Sequence, residues 1–310
     1  MAFQVRPLVL STLSAGLALA ALLSACGGGS DDSPGWATDS AGNVTLQFEA
    51  VAGSTPVSCG STITGLGSTG KSAQIQDLRF YISDVQLIKA DGGTVALTLA
   101  TTDDNNYAGS TDSVSLITLS QTDTGACTAG TLNTTIQGTV PAGKYVGVTM
   151  TLGVPFDLNH LNSTDAATPA VLRSDVNPGM SWNWRGGRKF TKIELQSTES
   201  GSPVTLLHLG STGCVGDPAN GVPITGCTAP NRVTLNFADF NPAKQQIALD
   251  VQRLFTQQDF TAMNMCMSSP TDAACTGEFS ALALNFNPDG TGTGTAIAGQ
   301  TQTVFKAMSR

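Results

Sequence analysis

Apolar and polar residues alternate in short runs along most of this chain, and clusters rich in Gly, Ser, Thr, Asn and Pro separate the runs. An alternation of period two puts one set of side chains on each face of an extended strand. Val148, Met150 and Leu152 follow it, as do Ile247, Leu249 and Val251. Further runs cover 44–48, 94–99, 114–119, 132–140, 145–154, 189–196, 204–209, 233–237 and 246–254. Asp91-Gly92-Gly93 is a hairpin turn signal before one of them. The run 74–89 is longer, and its apolar parity changes near Ser83, as a bulge would make it. Strands with one buried face belong to antiparallel sheets. Helix signals are few. The segment 159–176 is a long excursion between strands, read as a short helix or a lid-like loop. The chain therefore reads as all-β: a single antiparallel, β-sandwich-like domain with disulfides and long loops, over 36–310.

The N-terminus reads differently. Arg6 precedes an apolar stretch, 8–25, that is too short and too rich in Ala and Ser for a membrane span, so 1–25 reads as an export signal. It ends in Leu23-Ser-Ala-Cys26, which resembles a bacterial lipobox. Cleavage would leave Cys26 first, with lipid on its sulfur. The next residues, 26–35, are Gly- and Ser-rich and read as a flexible tether. Gly27, rather than Asp, follows Cys26, which points to outer-membrane sorting. The expected location is that of an exported lipoprotein, on the periplasmic side or at the surface of a bacterial outer membrane.

Setting Cys26 aside leaves Cys59, Cys127, Cys214, Cys227, Cys266 and Cys275, an even number that suits disulfides in an oxidising compartment. Six cysteines leave the connectivity open. Short loops favour Cys214–Cys227 and Cys266–Cys275, which leaves Cys59–Cys127. No C-x-x-C pair occurs, so a zinc finger is not expected. The balance of 15 Lys and Arg against 23 Asp and Glu gives a net charge of −8, with no basic run. That argues against nucleic acid as a partner, and leaves the lipid as the only expected membrane contact.

A few chemically distinctive residues remain. The chain has two histidines. His160 ends Gly153-Val-Pro-Phe-Asp-Leu-Asn-His160, and His208 lies in Leu206-Leu-His208-Leu-Gly-Ser-Thr-Gly-Cys214. Two of three tryptophans, Trp182 and Trp184, lie in Met180-Ser-Trp-Asn-Trp-Arg-Gly-Gly-Arg-Lys-Phe190. In an extended segment, Met180, Trp182 and Trp184 share one electron-rich face. Trp36 lies by the tether and is not counted with them. His208 shares parity with Val204 and Leu206, which suits a core histidine or a metal-ligating imidazole. Met263, Met265 and Met267 flank Cys266 at one parity. Their thioethers are soft donors of the kind copper(I) takes, although core packing or a hydrophobic surface is the more frequent use of Met. Asp77, Arg79 and Asp84 interrupt a strand pattern and suggest a buried Arg–carboxylate pair. Hydrolase chemistry would want a G-x-S-x-G elbow, which is missing; no enzyme activity is expected.

These phrases, together with Asp77-Leu-Arg-Phe-Tyr-Ile-Ser-Asp84 and four spaced cysteines, resemble the MbnP family, the four-Cys metallo-mystery-pair proteins. They occur in the family's order. Where the family phrase has Gly-Tyr-Lys-Phe, this chain has Gly187-Arg188-Lys189-Phe190. The resemblance implies an exported copper-binding protein with a role in copper handling. Its implied partner is a dihaem peroxidase of the MbnH type, which oxidises a Trp of this protein to kynurenine. The implied copper site uses His160, His208 and Trp182 as kynurenine, with Trp184 as the alternative position. An indole N–H only donates and cannot ligate in its plane, whereas kynurenine exposes an aromatic amine. The competing reading is a metal-free surface or adhesion-type β-sandwich lipoprotein. The N-terminal reading is checked by metabolic labelling with palmitate: the protein should take up label, and Cys26→Ser should lose it.

Overall fold

The computed structural model describes residues 36–38, 41–120, 127, 131–182 and 187–310, besides Met1. The signal and tether, Cys26 and Trp184 lie outside the described residues. From Trp36 onward the described residues fall in one compact unit that ends at Arg310.

The principal strands are, in chain order, β1 (Gly42–Ala52), β2 (Lys71–Lys89), β3 (Ser113–Thr118), β4 (Thr135–Val140) and β5 (Gly143–Leu152). They continue with β6 (Thr191–Ser197), β7 (Val204–Leu209), β8 (Thr212–Asp217) and β9 (Val222–Ala229). The last are β10 (Val233–Phe237), β11 (Gln245–Asp250), β12 (Asn264–Cys266) and β13 (Phe305–Ser309). A large sheet runs β5-β2-β6-β7-β12, with β3 and β10 paired at its flanks; a smaller sheet runs β13-β11-β1-β4; β8 and β9 form a separate hairpin.

The two sheets pack face to face. Phe80 of the large sheet sits between Phe48 and Phe305 of the small one, at centroid distances of 5.8 and 5.3 Å, edge to face in both contacts. The all-β sandwich is as expected, with two exceptions to antiparallel pairing. β11 runs parallel to β1, and β12 runs parallel to β7. The disulfides are Cys59–Cys127, Cys214–Cys227 and Cys266–Cys275, the pairing that short loops favour.

Local chemistry explains where the strand pattern misleads. The run 94–99 is two strands, Thr94–Ala96 on the large sheet and Thr98–Leu99 on the small one. The run 246–254 stops at Asp250, whose carboxylate accepts the backbone N–H of Arg253 and caps the helical turn Val251–Leu254. The bulge near Ser83 is present. Opposite β5 the register slips between Gln86 and Ser83, and Asp84 takes a left-handed φ of 53°. Asp84 is tied there by Arg232 at 2.6 Å, so it is not part of the Asp77–Arg79 pair.

β2 is buried on both faces. Its inner residues, such as Leu78 and Phe80, enter the core between the sheets. Tyr81, on the outer face, enters a second, smaller core with Leu158, Val171, Leu172, Met180 and Phe190. The excursion supplies that cover. A helical turn, Phe156–Asn159, leads into it; it holds a 3-10 turn, Ala170–Leu172, and otherwise runs as loop. Full burial of each such apolar side chain contributes about 1.5–3 kcal/mol, which holds the excursion on the sheet.

On the same outer face lies the expected ion pair. Arg79 donates to both carboxylate oxygens of Asp77, at 2.8 and 2.6 Å, and Lys192 binds the same carboxylate. All three are buried. Removing the shared anion leaves Arg79 buried without an ion-pair partner and Lys192 with Glu194 alone, so Asp77→Asn should destabilise the protein by about 3–5 kcal/mol, read as a lower urea midpoint of the disulfide-intact chain.

Candidate metal centre

Cross-strand register places the charged side chains of the outer face in rows. Glu194 pairs with Leu206 on one side and Asp77 on the other, and Lys192 pairs with His208 and Arg79. Lys192 thus reaches Glu194 at 3.1 Å, and Glu194 meets His208 Nε2 at 2.7 Å. Burial pushes the Glu194 carboxyl up, but the hydrogen bond from His208 and the charge of Lys192 outweigh it and hold it at about 2. Glu194 is therefore an anion that only accepts, and His208 Nε2 carries the proton. Burial lowers the His208 pKa, against the pull of Glu194, and keeps the imidazole neutral. Its Nδ1 lone pair is left buried and without a hydrogen bond among the described residues. A carboxylate that fixes one ring nitrogen so that the other is free is the usual support of a metal-ligating histidine.

His160 ends the helical turn Phe156–Asn159 and is also made neutral by burial and by the nearby charge of Arg188. Asn159 Oδ1 accepts the backbone N–H of Arg188 at 2.8 Å, so its amide nitrogen is the donor to His160 Nε2 at 3.1 Å. The resting imidazole therefore carries its proton on Nδ1, which is buried and unpartnered among the described residues. Cys227 Sγ lies 3.5 Å from His160 Nε2, and Cys214 is close by. Both sulfurs are spent in the disulfide. Of these three only the imidazole is available as a ligand.

The residues around one antiparallel bridge touch both histidines. Ser181 bridges Arg188, and the Trp182 N–H donates to the Gly187 carbonyl at 3.0 Å. The Trp182 ring stands edge-on to His208 with centroids 5.9 Å apart, and Lys189 Nζ lies 5.0 Å from its centroid. On the other side, a Cβ at Gly187 would lie 3.4–3.6 Å from Asn159 and His160 atoms. Gly210, two residues past His208, is needed for close approach: a Cβ there would come within 2.9 Å of Trp182 Nε1 and 2.7 Å of the Arg188 carbonyl. Met180 does not share a face with Trp182. It is buried in the outer core, while Trp182 is half-buried against His208. Trp36 packs on Tyr145 at 5.1 Å, remote in its contacts from both histidines.

Arg188 holds the excursion in place. It is fully buried and donates to the carbonyls of Asn159, Leu161 and Leu172. Sequence reasoning singled it out only as a departure from a phrase. It missed Glu194 and Asn159, whose signals were available: a strand-borne carboxylate in the run 189–196, and an amide adjoining a histidine. Met263, Met265 and Met267 are not core residues. They are 64%, 46% and 39% exposed.

The fold and these contacts define an all-β, three-disulfide protein whose two histidines lie beside Trp182 and Gly187, next to the bridge between Ser181 and Arg188. The MbnP family model matches residues 41–268, and the chain belongs to that family. It is similar to a solved structure, MbnP from Methylosinus trichosporium, at 30% identity over 87% of this chain and 99% of that one, with a TM-score of 0.73. Nothing among curated proteins matches. MbnP is a methanobactin-associated family.

The two imidazoles should differ in tautomer. Long-range ¹H–¹⁵N spectra of the metal-free protein at neutral pH should show His208 protonated at Nε2 and His160 at Nδ1. Glu194→Gln should remove the fixed preference at His208 and leave His160 as it was.

Proposed function

We propose that this chain is an exported copper-binding protein that works in copper handling and is not an enzyme. The observation that carries the reading is His208: a neutral imidazole held by an ionised carboxylate, with a buried and unused Nδ1, packed on a tryptophan. His208 and His160 would hold the ion. Imidazole suits copper, and neutral ligands need no proton removed before binding.

Trp182 is the proposed third contributor, after conversion to kynurenine by a dihaem peroxidase partner of the MbnH type; Trp184 is the alternative. With peroxide as oxidant, two equivalents of hydrogen peroxide open the indole C2–C3 bond, leaving N-formylkynurenine and two waters. Hydrolysis then releases formate and an aromatic amine, a net gain of about 4 Da that creates a donor the indole lacks. Contact of the Trp182 ring with His208 supports this choice, because the new amine arises beside that imidazole. Lipidation at Cys26 would keep the protein at the outer membrane.

Copper(I) titration against a competing chelator tests the histidines. His160→Ala and His208→Ala should each weaken binding by about 10–100-fold or more, and the double variant should lose the site. Full affinity in the double variant removes both histidines from the site, and a wild-type chain that takes up no copper leaves the metal-free surface domain. Co-expression with the peroxidase, followed by peptide mass spectrometry across 180–189, should place the added mass on Trp182 and raise affinity.

A further inference from the structure

β12 is the edge strand of the large sheet, paired parallel to β7 with Met265 opposite Leu206 and Cys266 opposite Leu207. Along 263–268 exposure alternates strictly. Cys266 and Ser268 are fully buried, and Asn264 is half-buried. Met263, Met265 and Met267 face water. The inward side is clamped. Cys266 is bonded to Cys275, the Ser268 hydroxyl donates to the His208 carbonyl at 2.5 Å, and Asn231 donates to the Ser268 carbonyl at 2.9 Å. Three methionines are thus presented to solvent by a fixed backbone.

Packing does not explain them, since leaving large apolar side chains in water forgoes the stabilisation that burial would give. Their shared chemistry is the thioether, a neutral soft donor that stays unprotonated at any ordinary pH and selects soft monovalent ions over hard divalent ones. Positions two apart on a strand are about 6.7 Å apart. Methionine's three rotatable bonds let neighbouring sulfurs turn toward one ion from that spacing. The net charge of −8 favours a cation at the surface. The row Met265, Leu206, Glu194, Asp77 runs straight across the sheet. The methionines therefore stand on the same side of the sheet as His208, one strand away.

We propose that Met263, Met265 and Met267 form a surface thioether site for one soft monovalent cation, copper(I) or silver(I), separate from the histidines. The site does not depend on the histidine site being a copper site. Leucine is close to methionine in size and lacks the donor, so the triple variant Met263→Leu, Met265→Leu, Met267→Leu keeps the exposed apolar surface and removes the ligands.

The test uses the mature chain labelled with ¹³C-methyl methionine and titrated with silver(I), which avoids redox chemistry. The methyl signals of Met263, Met265 and Met267 should move together and saturate at one equivalent, while buried Met150 stays still. The same shifts should persist in the His160→Ala, His208→Ala double variant. The triple leucine variant should lose one equivalent of bound silver with an unchanged melting temperature. Methyl signals that do not move, or that move only when both histidines are present, overturn the proposal. Failure of the histidine reading shows separately, as unchanged silver stoichiometry between the wild type and the histidine double variant.

Discussion

The outer face of the large sheet is organised by the carboxylate of Asp77. It has no access to water, and it takes the Arg79 guanidinium through both oxygens and the Lys192 ammonium besides. A charge in such surroundings is costly unless its partners are fixed, so each ion constrains the next. Arg79 has a further N–H, which goes to the Pro178 carbonyl at 3.0 Å and pins the end of the excursion. Lys192 reaches on to Glu194, and Glu194 to His208. One anion thereby orients a loop at one end of the row and an imidazole at the other. The orientation of His208 is inherited from a network four residues deep, and is not set by its own strand alone.

Arg188 solves a different problem. The excursion and the turn leading into it hold two short helical pieces, and the last carbonyls of such turns have no partner within the turn. Asn159, Leu161 and Leu172 present theirs inward, and the guanidinium offers five donors in a plane to meet them. Burial brings its pKa down to about 10, so it remains a cation at neutral pH. No carboxylate among the described residues pairs with it; carbonyl dipoles solvate it instead. One arginine therefore fastens the excursion at three carbonyls at once, next to the contact between Gly187 and Asn159.

The legible parts of this protein are those set by short-range pattern. Val148, Met150 and Leu152 alternate because β5 has one buried face, and two disulfides close loops short enough to suggest themselves. Pairing partners were not legible, because register is a property of two distant segments. Glu194 could not be assigned to His208 until β6 lay beside β7. The Asp250 cap and the change of sheets at Leu97 are single-residue events within otherwise convincing strand patterns. The methionines show the same limit from the other side. Their common parity was plain, but only the position of β12 at the sheet edge decides that the shared face meets water.

The two histidines are not equivalent, and the difference bears on how a site would form. His208 is ready: Glu194 holds the Nε2 proton, and Nδ1 is bare. His160 is not, because Asn159 donates to its Nε2 and cannot turn round without losing the Arg188 N–H. If both imidazoles bind one ion, His160 either moves its proton from Nδ1 to Nε2 or gives up the Asn159 contact. Either change costs on the order of one hydrogen bond, about 1 kcal/mol, which is small beside a metal–imidazole bond. His208 would then be the fixed anchor, and His160 the ligand that adapts. Because Asn159 gives both its side chain and its carbonyl to Arg188, that adaptation is coupled to the fastening of the whole excursion. Metal binding at His160 would accordingly be felt at Leu161 and Leu172, while the ladder from Asp77 to His208 stays as it is.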